Sequence, residues 1–175
     1  MNVLALDLGT HTGWATNKGG LSLGTWDLAT DKEVTAWGKT RLTRRGDPRF
    51  CRLRKHIAEQ GPIDALVFED VLFGSTVNQA HLWATLRAAI WAMGCDECGL
   101  FVQAVPVATL KLFATGHGGA KKEMMMQAAE RMLPGRFALR GNKIRDLLTG
   151  QMLDDNAIDA FHLLRWAEQN IHLKP

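Results

Sequence analysis

Two apolar runs that each end in an acidic residue constrain the fold of this 175-residue chain more than any other feature. Residues 3–6 lead into Asp7, and residues 65–68 lead into Glu69. Short apolar runs of this kind are typical of strands that are buried on both faces. Because neighbouring strand ends meet at one edge of a sheet, we expect the two carboxylates to lie close together there.

The strand pattern around these two runs predicts a mixed sheet. Turn-prone residues 9–13 lead from the first strand into a second strand that begins at Trp14, and residues 21–26 alternate as a third strand would. Three antiparallel strands are therefore expected before the first helix. Another buried strand is expected at residues 100–105, where Pro106 closes it.

The helical pattern completes the expected fold. Phe50, Leu53 and Ile57 form the core stripe of a helix that ends at Pro62. Further helices are expected at residues 81–93, 107–115, 121–133 and 156–167. Strands first, then strands alternating with helices, predict an α/β fold in which a mixed five-stranded sheet has helices on both faces. At this length, we expect residues 1–175 to form a single domain.

The composition is that of a folded protein, with 46% hydrophobic and 22% charged residues. The N-terminus has no basic stretch before its apolar run, and Asp7 interrupts that run, so no signal peptide is expected. The longest apolar segment, residues 82–93, contains Arg87 and is shorter than the roughly 20 residues that span a bilayer. We therefore expect a cytoplasmic protein.

The cysteines do not indicate a disulfide framework, because there are three of them. Cys95 and Cys98 have the spacing of a metal-binding knuckle, but no second knuckle supplies the other two ligands of a structural zinc site. We interpret them as residues near a turn, and a zinc or redox role stays open.

Asp155 and Asp159 extend the acidic set, because a spacing of four places both on one face of the last helix. Carboxylates that converge with Asp7 and Glu69 would repel one another unless a cation neutralised them. Mg²⁺ prefers oxygen ligands, and two such ions about 4 Å apart can hold the attacking water and the leaving oxygen of a phosphodiester. The set therefore predicts metal-dependent hydrolysis.

Structural roles remain open for some of these acids. Asp7 could be a turn residue, and Asp154 and Asp155 could cap the last helix. Glu69 is poorly suited to a turn, and Asp159 lies beyond the position where a cap is needed.

Several motifs in a fixed order resemble the RuvC family of Holliday-junction resolvases, within the ribonuclease H-like superfamily. They are LALDLGT at residues 4–10, GWA at 13–15, VFE at 67–69, Pro106 with Lys111 and residues 116–121, and DNAIDA at 155–160. The resemblance implies a ribonuclease H-like fold, a homodimer in contact through helix 81–93, two Mg²⁺ or Mn²⁺ ions, and paired nicks in a four-way DNA junction. It places Asp7, Glu69, Asp155 and Asp159 at the catalytic metal-binding positions.

The last motif resembles phage-type and mitochondrial members, because bacterial members commonly separate the two final acids by three positions. Asp154, Asp155 and Asn156 therefore all remain candidates for the third ligand. If a phage encodes the chain, the expected compartment is the cytoplasm of the host.

DNA contacts are expected from basic residues. Between residues 39 and 55 there are eight Lys or Arg residues and one acid, and the candidates for phosphate binding are Arg44, Arg45, Arg49 and Arg52. A solvated helix face is an equally open interpretation. The resemblance places Lys111, Lys121 and Lys122 near the scissile phosphate, where Lys121 or Lys122 could act in catalysis by stabilising negative charge. Phe73 could stack on an unpaired base or pack in the core.

Three functions other than a DNA-junction nuclease fit part of this sequence pattern. A nuclease of the same fold that acts on RNA or on an RNA–DNA hybrid uses the same carboxylates and stays open, as does a non-catalytic protein that binds DNA junctions. The segment from Asp7 to Thr10 also resembles the phosphate-binding opening of sugar kinases and actin-like ATPases. Those proteins need two such domains and a second phosphate motif, so this chain fits them poorly.

Overall fold

A mixed five-stranded sheet forms the centre of the chain in a computed structural model that describes residues 1–40, 47–71, 76–96, 99–141 and 143–172. Its strands lie in the order β3-β2-β1-β4-β5, with bounds β1 Val3–Asp7, β2 His11–Thr16, β3 Ser22–Asp27, β4 Ala65–Asp70 and β5 Phe101–Pro106. The first three strands are antiparallel neighbours, whereas β4 runs parallel to β1 and β5 runs parallel to β4. The predicted mixed sheet is confirmed.

Helices cover both faces of this sheet, as predicted. Their bounds are α1 Asp31–Thr40, α2 Pro48–Glu59, α3 Val77–Asp96, α4 Val107–Thr115, α5 Lys122–Met132 and α6 Asp155–Asn170. None of the described helices is long and apolar enough to cross a lipid bilayer.

The central strands are apolar throughout because their side chains alternate between two cores. Val3 and Val67 point into the core formed with α4, α5 and α6. Leu4, Leu6 and Phe68 point into the opposite core, formed with α2 and α3. A strand buried on both faces can carry a charged side chain only near its end, which is where Asp7 and Glu69 lie.

Several predicted boundaries were wrong. Strand β2 begins at His11 rather than Trp14. Helix α3 begins at Val77 rather than residue 81 because the Thr76 hydroxyl accepts a hydrogen bond from the backbone N–H of Gln79 at 3.2 Å and so caps the helix. Helix α2 ends at Glu59, before Pro62, and α6 continues to Asn170.

Two parts of the fold were not predicted. Helix α1 starts with a capping box, in which the backbone N–H of Thr30 donates to Glu33 Oε2 at 2.9 Å and the backbone N–H of Glu33 donates to Thr30 Oγ1 at 3.3 Å. A small antiparallel sheet lies between α5 and α6, with strands β6 Phe137–Arg140, β7 Lys143–Asp146 and β8 Met152–Leu153. Its strands are only two to four residues long, so each shows little alternation.

Candidate active site

Asp7 and Glu69 lie beside each other at the ends of two parallel strands. The register of β1 against β4 pairs Leu6 with Phe68, so the next residue on each strand is the acid. The two carboxyl groups are hydrogen-bonded to each other. A contact between two carboxyl groups requires a proton or a cation to balance the charge.

Helix α6 brings Asp155 and Asp159 to the same place, and Gly13 on β2 makes that approach possible. Gly13 is the strand partner of Asp7. A Cβ atom at Gly13 would lie 1.9 Å from the carbonyl oxygen of Asn156, which is far too close. Only glycine therefore lets the first turn of α6 touch β2. The sequence marks Gly13 only as turn-prone, whereas in the structure it lies inside a strand, where a glycine often indicates a close backbone approach.

Asp154 and Asp155 have different surroundings, although they are adjacent in sequence. Asp154 is the N-cap of α6, and its Oδ1 accepts hydrogen bonds from the backbone N–H of Ala157 at 3.0 Å and from Thr25 Oγ1 at 2.6 Å. Asp155 instead forms an ion pair with Lys122 and contributes to the negative potential at Asp7. Asp154 therefore caps α6, whereas Asp155 lies with the other acids.

The acids repel one another and are held largely out of water. Burial, followed by the charges of Glu69 and Asp159, raises the pKa of Asp7 well above its usual value. Burial also raises the pKa of Glu69, although its hydrogen bond with Asp7 and the charge of Lys111 act in the opposite direction. For Asp159, burial and then the charges of Glu69 and Asp155 raise the pKa to about 7. The four carboxylates therefore form one electrostatic cluster.

Two lysines lie within electrostatic reach of the acidic cluster formed by Asp7, Glu69, Asp155 and Asp159. Lys111 on α4 lowers the pKa of both Glu69 and Asp159. Lys122 is the first residue of α5, and its hydrogen bond to Asp155 raises its own pKa. Lys121 is exposed at the N-cap of the same helix.

The donor set of the acidic cluster fits a hard divalent cation, because it consists of carboxylate oxygens, the ligands that Mg²⁺ and Mn²⁺ prefer. Burial first, and then the charges of neighbouring acids, raises the pKa of Asp7 and Asp159, and a bound cation would relieve the repulsion between these charges. Within the described part of the chain, no three His, Cys, Asp or Glu side chains are already gathered around one point as ligands of an ion would be. The chemistry of the site therefore fits a metal, and its side chains would have to adjust to bind one.

The two described arginines of the predicted phosphate-binding set are engaged within the protein. Arg49 forms an ion pair with Asp47 at 2.6 Å and donates to Thr10 Oγ1 at 2.9 Å. Arg52 forms an ion pair with Glu33 at 2.6 Å and donates to the carbonyl oxygen of Leu28 at 2.8 Å. Their binding to DNA stays a prediction.

The other predicted contacts lie outside the described residues, namely Arg44, Arg45 and Phe73. Cys95 is a free, exposed cysteine on α3, whereas Cys98 lies outside the described residues, so a zinc or redox role stays untested.

Comparison with known proteins identifies the fold, although no family model and no curated protein matches the sequence. The structure of RuvC from Thermus thermophilus superposes with a TM-score of 0.62 and 18% sequence identity, covering 97% of this chain and 96% of that chain. RuvC of the same organism in complex with a Holliday junction substrate gives a TM-score of 0.63 and 18% identity, covering 94% and 90%.

A third solved structure is the yeast mitochondrial Holliday junction resolvase Ydc2. It has a TM-score of 0.55 and 14% identity, covering 95% of this chain and 79% of that chain. These superpositions extend over nearly the whole described structure and include the mixed five-stranded sheet. The chain therefore has the ribonuclease H-like fold of RuvC, as the resemblance in its sequence implied.

Proposed function

We propose that this chain is a divalent-metal-dependent endonuclease that nicks four-way or otherwise branched DNA, with residues 1–175 acting as one nuclease domain. The observation that carries the proposal is the meeting of Asp7, Glu69, Asp155 and Asp159, from two strands and a helix, at one edge of the sheet. Two of the solved structures with this fold are named as Holliday junction resolvases or hold a junction substrate, which supports branched DNA as the substrate.

The four carboxylates would hold Mg²⁺ or Mn²⁺, as a pair of ions. When bound, such ions supply an activated water and stabilise the charge on the leaving oxygen of a phosphodiester.

Lys122 is proposed to act in catalysis beside these acids. Its ammonium group already pairs with Asp155, so it stands at the cluster with 70% of its side chain exposed. A phosphate that reaches the cluster can accept a hydrogen bond from this ammonium, which would stabilise the negative charge that develops during cleavage. Lys111 and Lys121 flank the same edge and are proposed to contact the DNA backbone.

A homodimer through α3 is the second part of the proposal, because paired nicks need two active sites. Helix α3 buries few residues for its length, and Val77 and Trp91 are 71% and 40% exposed. The exposed surface also carries small residues at helical spacing, which are Ala80, Ala84, Ala88 and Ala92. A second copy of α3 would cover this exposed face, which runs along residues 81–93 of the helix.

Cleavage assays on defined substrates test the proposed activity. Wild-type protein with Mg²⁺ is expected to nick a labelled four-way junction symmetrically and to leave a linear duplex of the same sequences intact. A flap and an RNA–DNA hybrid complete the set. Cleavage of the hybrid alone would contradict the proposal and favour the RNA-processing alternative. Tight junction binding without any cleavage would favour the non-catalytic alternative.

Sedimentation at micromolar concentration tests the dimer. The wild-type protein is expected to sediment as a dimer, and Trp91→Glu is expected to shift it to the monomer because a charge would enter the apolar interface. Leu112→Glu is the matched control, since Leu112 is 57% exposed on α4 and lies outside the proposed interface. A wild-type monomer under these conditions would contradict the interface.

A further inference from the structure

The small sheet β6–β7–β8 places its basic side chains on one face. Phe137, Ile144 and Leu153 are buried in the core shared with α5 and α6. The alternate positions point away from that core, and among them are the exposed residues Arg140, Lys143 and Arg145. In the register of the sheet, Arg140 stands opposite Lys143, and Arg145 stands opposite Met152.

These three cations, which we call the basic face, differ from Arg49 and Arg52 on α2. Within the described part of the chain, none of the three forms an ion pair or a hydrogen bond to an acid, whereas Arg49 and Arg52 each have an acidic partner at 2.6 Å. Like charges that stand directly opposite on a sheet are destabilising. A polyanion bound along the face would relieve this repulsion.

A buried ion pair lies behind the basic face and supports the turn that follows β7. Asp146 is 2% exposed, and its Oδ2 accepts a hydrogen bond from Arg136 Nη2 at 2.9 Å. Asp146 Oδ1 also accepts from the backbone N–H of Leu148 at 2.9 Å and of Thr149 at 3.3 Å, which orders the turn after β7. A ligand would therefore meet a preformed surface and lose little freedom in ordering it.

The chain connects the small sheet directly to the acidic cluster. Strand β8 ends at Leu153, and the next two residues are the helix cap Asp154 and the cluster residue Asp155. At about 3.3 Å per extended residue, Met152 lies within roughly 10 Å of Asp155. A DNA duplex presents one phosphate charge per about 1.7 Å of axis. If one duplex arm of a branched DNA reaches the acidic cluster, its neighbouring phosphates therefore lie within reach of Arg145 and the rest of the basic face.

We infer that the basic face formed by Arg140, Lys143 and Arg145 binds the phosphate backbone of one duplex arm of the DNA substrate. The inference rests on the proposed function for the choice of DNA as the polyanion. It assigns no base recognition to the face, because phosphate contacts position a duplex without reading its sequence. The exposed turn residues Leu147 and Leu148 are not part of the contact.

Binding measured without metal and across salt concentrations tests the basic face. Fluorescence anisotropy with a labelled four-way junction and a linear duplex would compare wild-type protein with the triple variant R140Q/K143Q/R145Q. The variant is expected to bind both DNAs about tenfold or more weakly near 100 mM salt. The slope of log K against log salt is expected to become shallower by nearly 3 units, at about 0.9 per lost phosphate contact. Circular dichroism would check that the variant remains folded.

Single substitutions provide matched controls, each removing one exposed cation. Arg145→Gln is expected to lower affinity and salt slope, whereas Lys32→Gln on α1 is expected to change neither. Unchanged affinity and salt slope in the folded triple variant would overturn the inference. Loss of DNA binding in Leu148→Ser but not in the triple variant would overturn it too, because an apolar contact would then be responsible.

The same proteins separate this inference from the proposed function. If wild-type protein cleaves junctions while the triple variant binds them normally, the inference fails and the proposed function stands. If wild-type protein never cleaves but the triple variant loses affinity and salt slope, the proposed function fails and the basic face stands.

Discussion

The acids at the edge of the central sheet and Asp146 in the small sheet are all at least partly buried, but the charges of their neighbours differ in sign. Asp7 faces Glu69 and Asp159, so its neighbours carry the same charge. Asp146 faces Arg136 at 2.9 Å and accepts two backbone hydrogen bonds. The surroundings of Asp7 oppose ionisation of its carboxyl group, whereas those of Asp146 supply a cation and two hydrogen-bond donors.

We expect this difference to separate a functional role for Asp7 from a structural role for Asp146. A satisfied buried ion pair costs a great deal to break, because removal of one partner leaves the other charge uncompensated. Carboxylates that repel one another reduce stability until a proton or a cation relieves them. Loss of charge at the two places should therefore change stability in opposite directions.

The largest expected effect is the loss of DNA cleavage in the variant Asp7→Asn. The variant is expected to lose roughly a hundred- to a thousandfold in cleavage rate, since the neutral amide holds a divalent cation less well than the carboxylate does. DNA binding is expected to persist, and metal-free stability is expected to stay unchanged or rise because repulsion with Glu69 disappears. Single-turnover cleavage and urea unfolding measure the two quantities. A clear loss of metal-free stability would instead make Asp7 structural.

The opposite behaviour is expected from Asp146→Ala. It leaves the largely buried Arg136 guanidinium without its partner and two N–H groups of the turn without an acceptor. We expect the free energy of unfolding to fall by about 3–5 kcal/mol in urea titrations. A double variant that also replaces Arg136 with Met should recover part of this loss. Full stability of Asp146→Ala would remove the structural side of the comparison.

Gly13→Ala tests how the acids are brought together. The added methyl group would meet the Asn156 carbonyl oxygen at 1.9 Å, so the start of α6 must move away from β2. We expect a loss of about 1–3 kcal/mol in unfolding free energy, together with a fall in cleavage larger than the unfolded fraction explains. Gly118→Ala is the control, because its methyl group would make an ordinary contact at 3.5 Å. Equal behaviour of the two variants would contradict the close approach.

The pH dependence of metal-free stability tests the raised pKa of Asp159. The pKa of Asp159 is about 7 in the folded chain against a usual value of 3.8, so between these values the folded chain binds more protons than the unfolded chain. The stability contributed by this group is therefore present below pH 4 and is lost as pH rises through 7. The unfolding free energy of Asp159→Asn minus that of wild type should therefore increase as pH rises across this range. A pH-independent difference would contradict the raised pKa.

The central sheet and its acids could be predicted because each depends on local sequence. An apolar run that ends in a carboxylate is specified by a few neighbouring residues, as at Asp7 and Glu69. The position of Asp159 beyond the helix cap is local in the same way. The small sheet was not predicted because its strands are short, and their buried residues pack against α5 and α6, which are separate segments of the chain.

By itself, the sequence determined the order of the central strands and helices, and it marked three acids that are awkward to explain as turns or caps. Only the tertiary structure decided which charges are available. Arg49 and Arg52 have acidic partners, whereas Arg145 and its neighbours on the basic face have none among the described residues. It also assigned Asp154 to the cap of α6 and Asp155 to the cluster. The physical reason is that a charged side chain is free to bind a ligand only if no opposite charge lies beside it in space. Such partners come from distant parts of the chain, so local sequence does not reveal them.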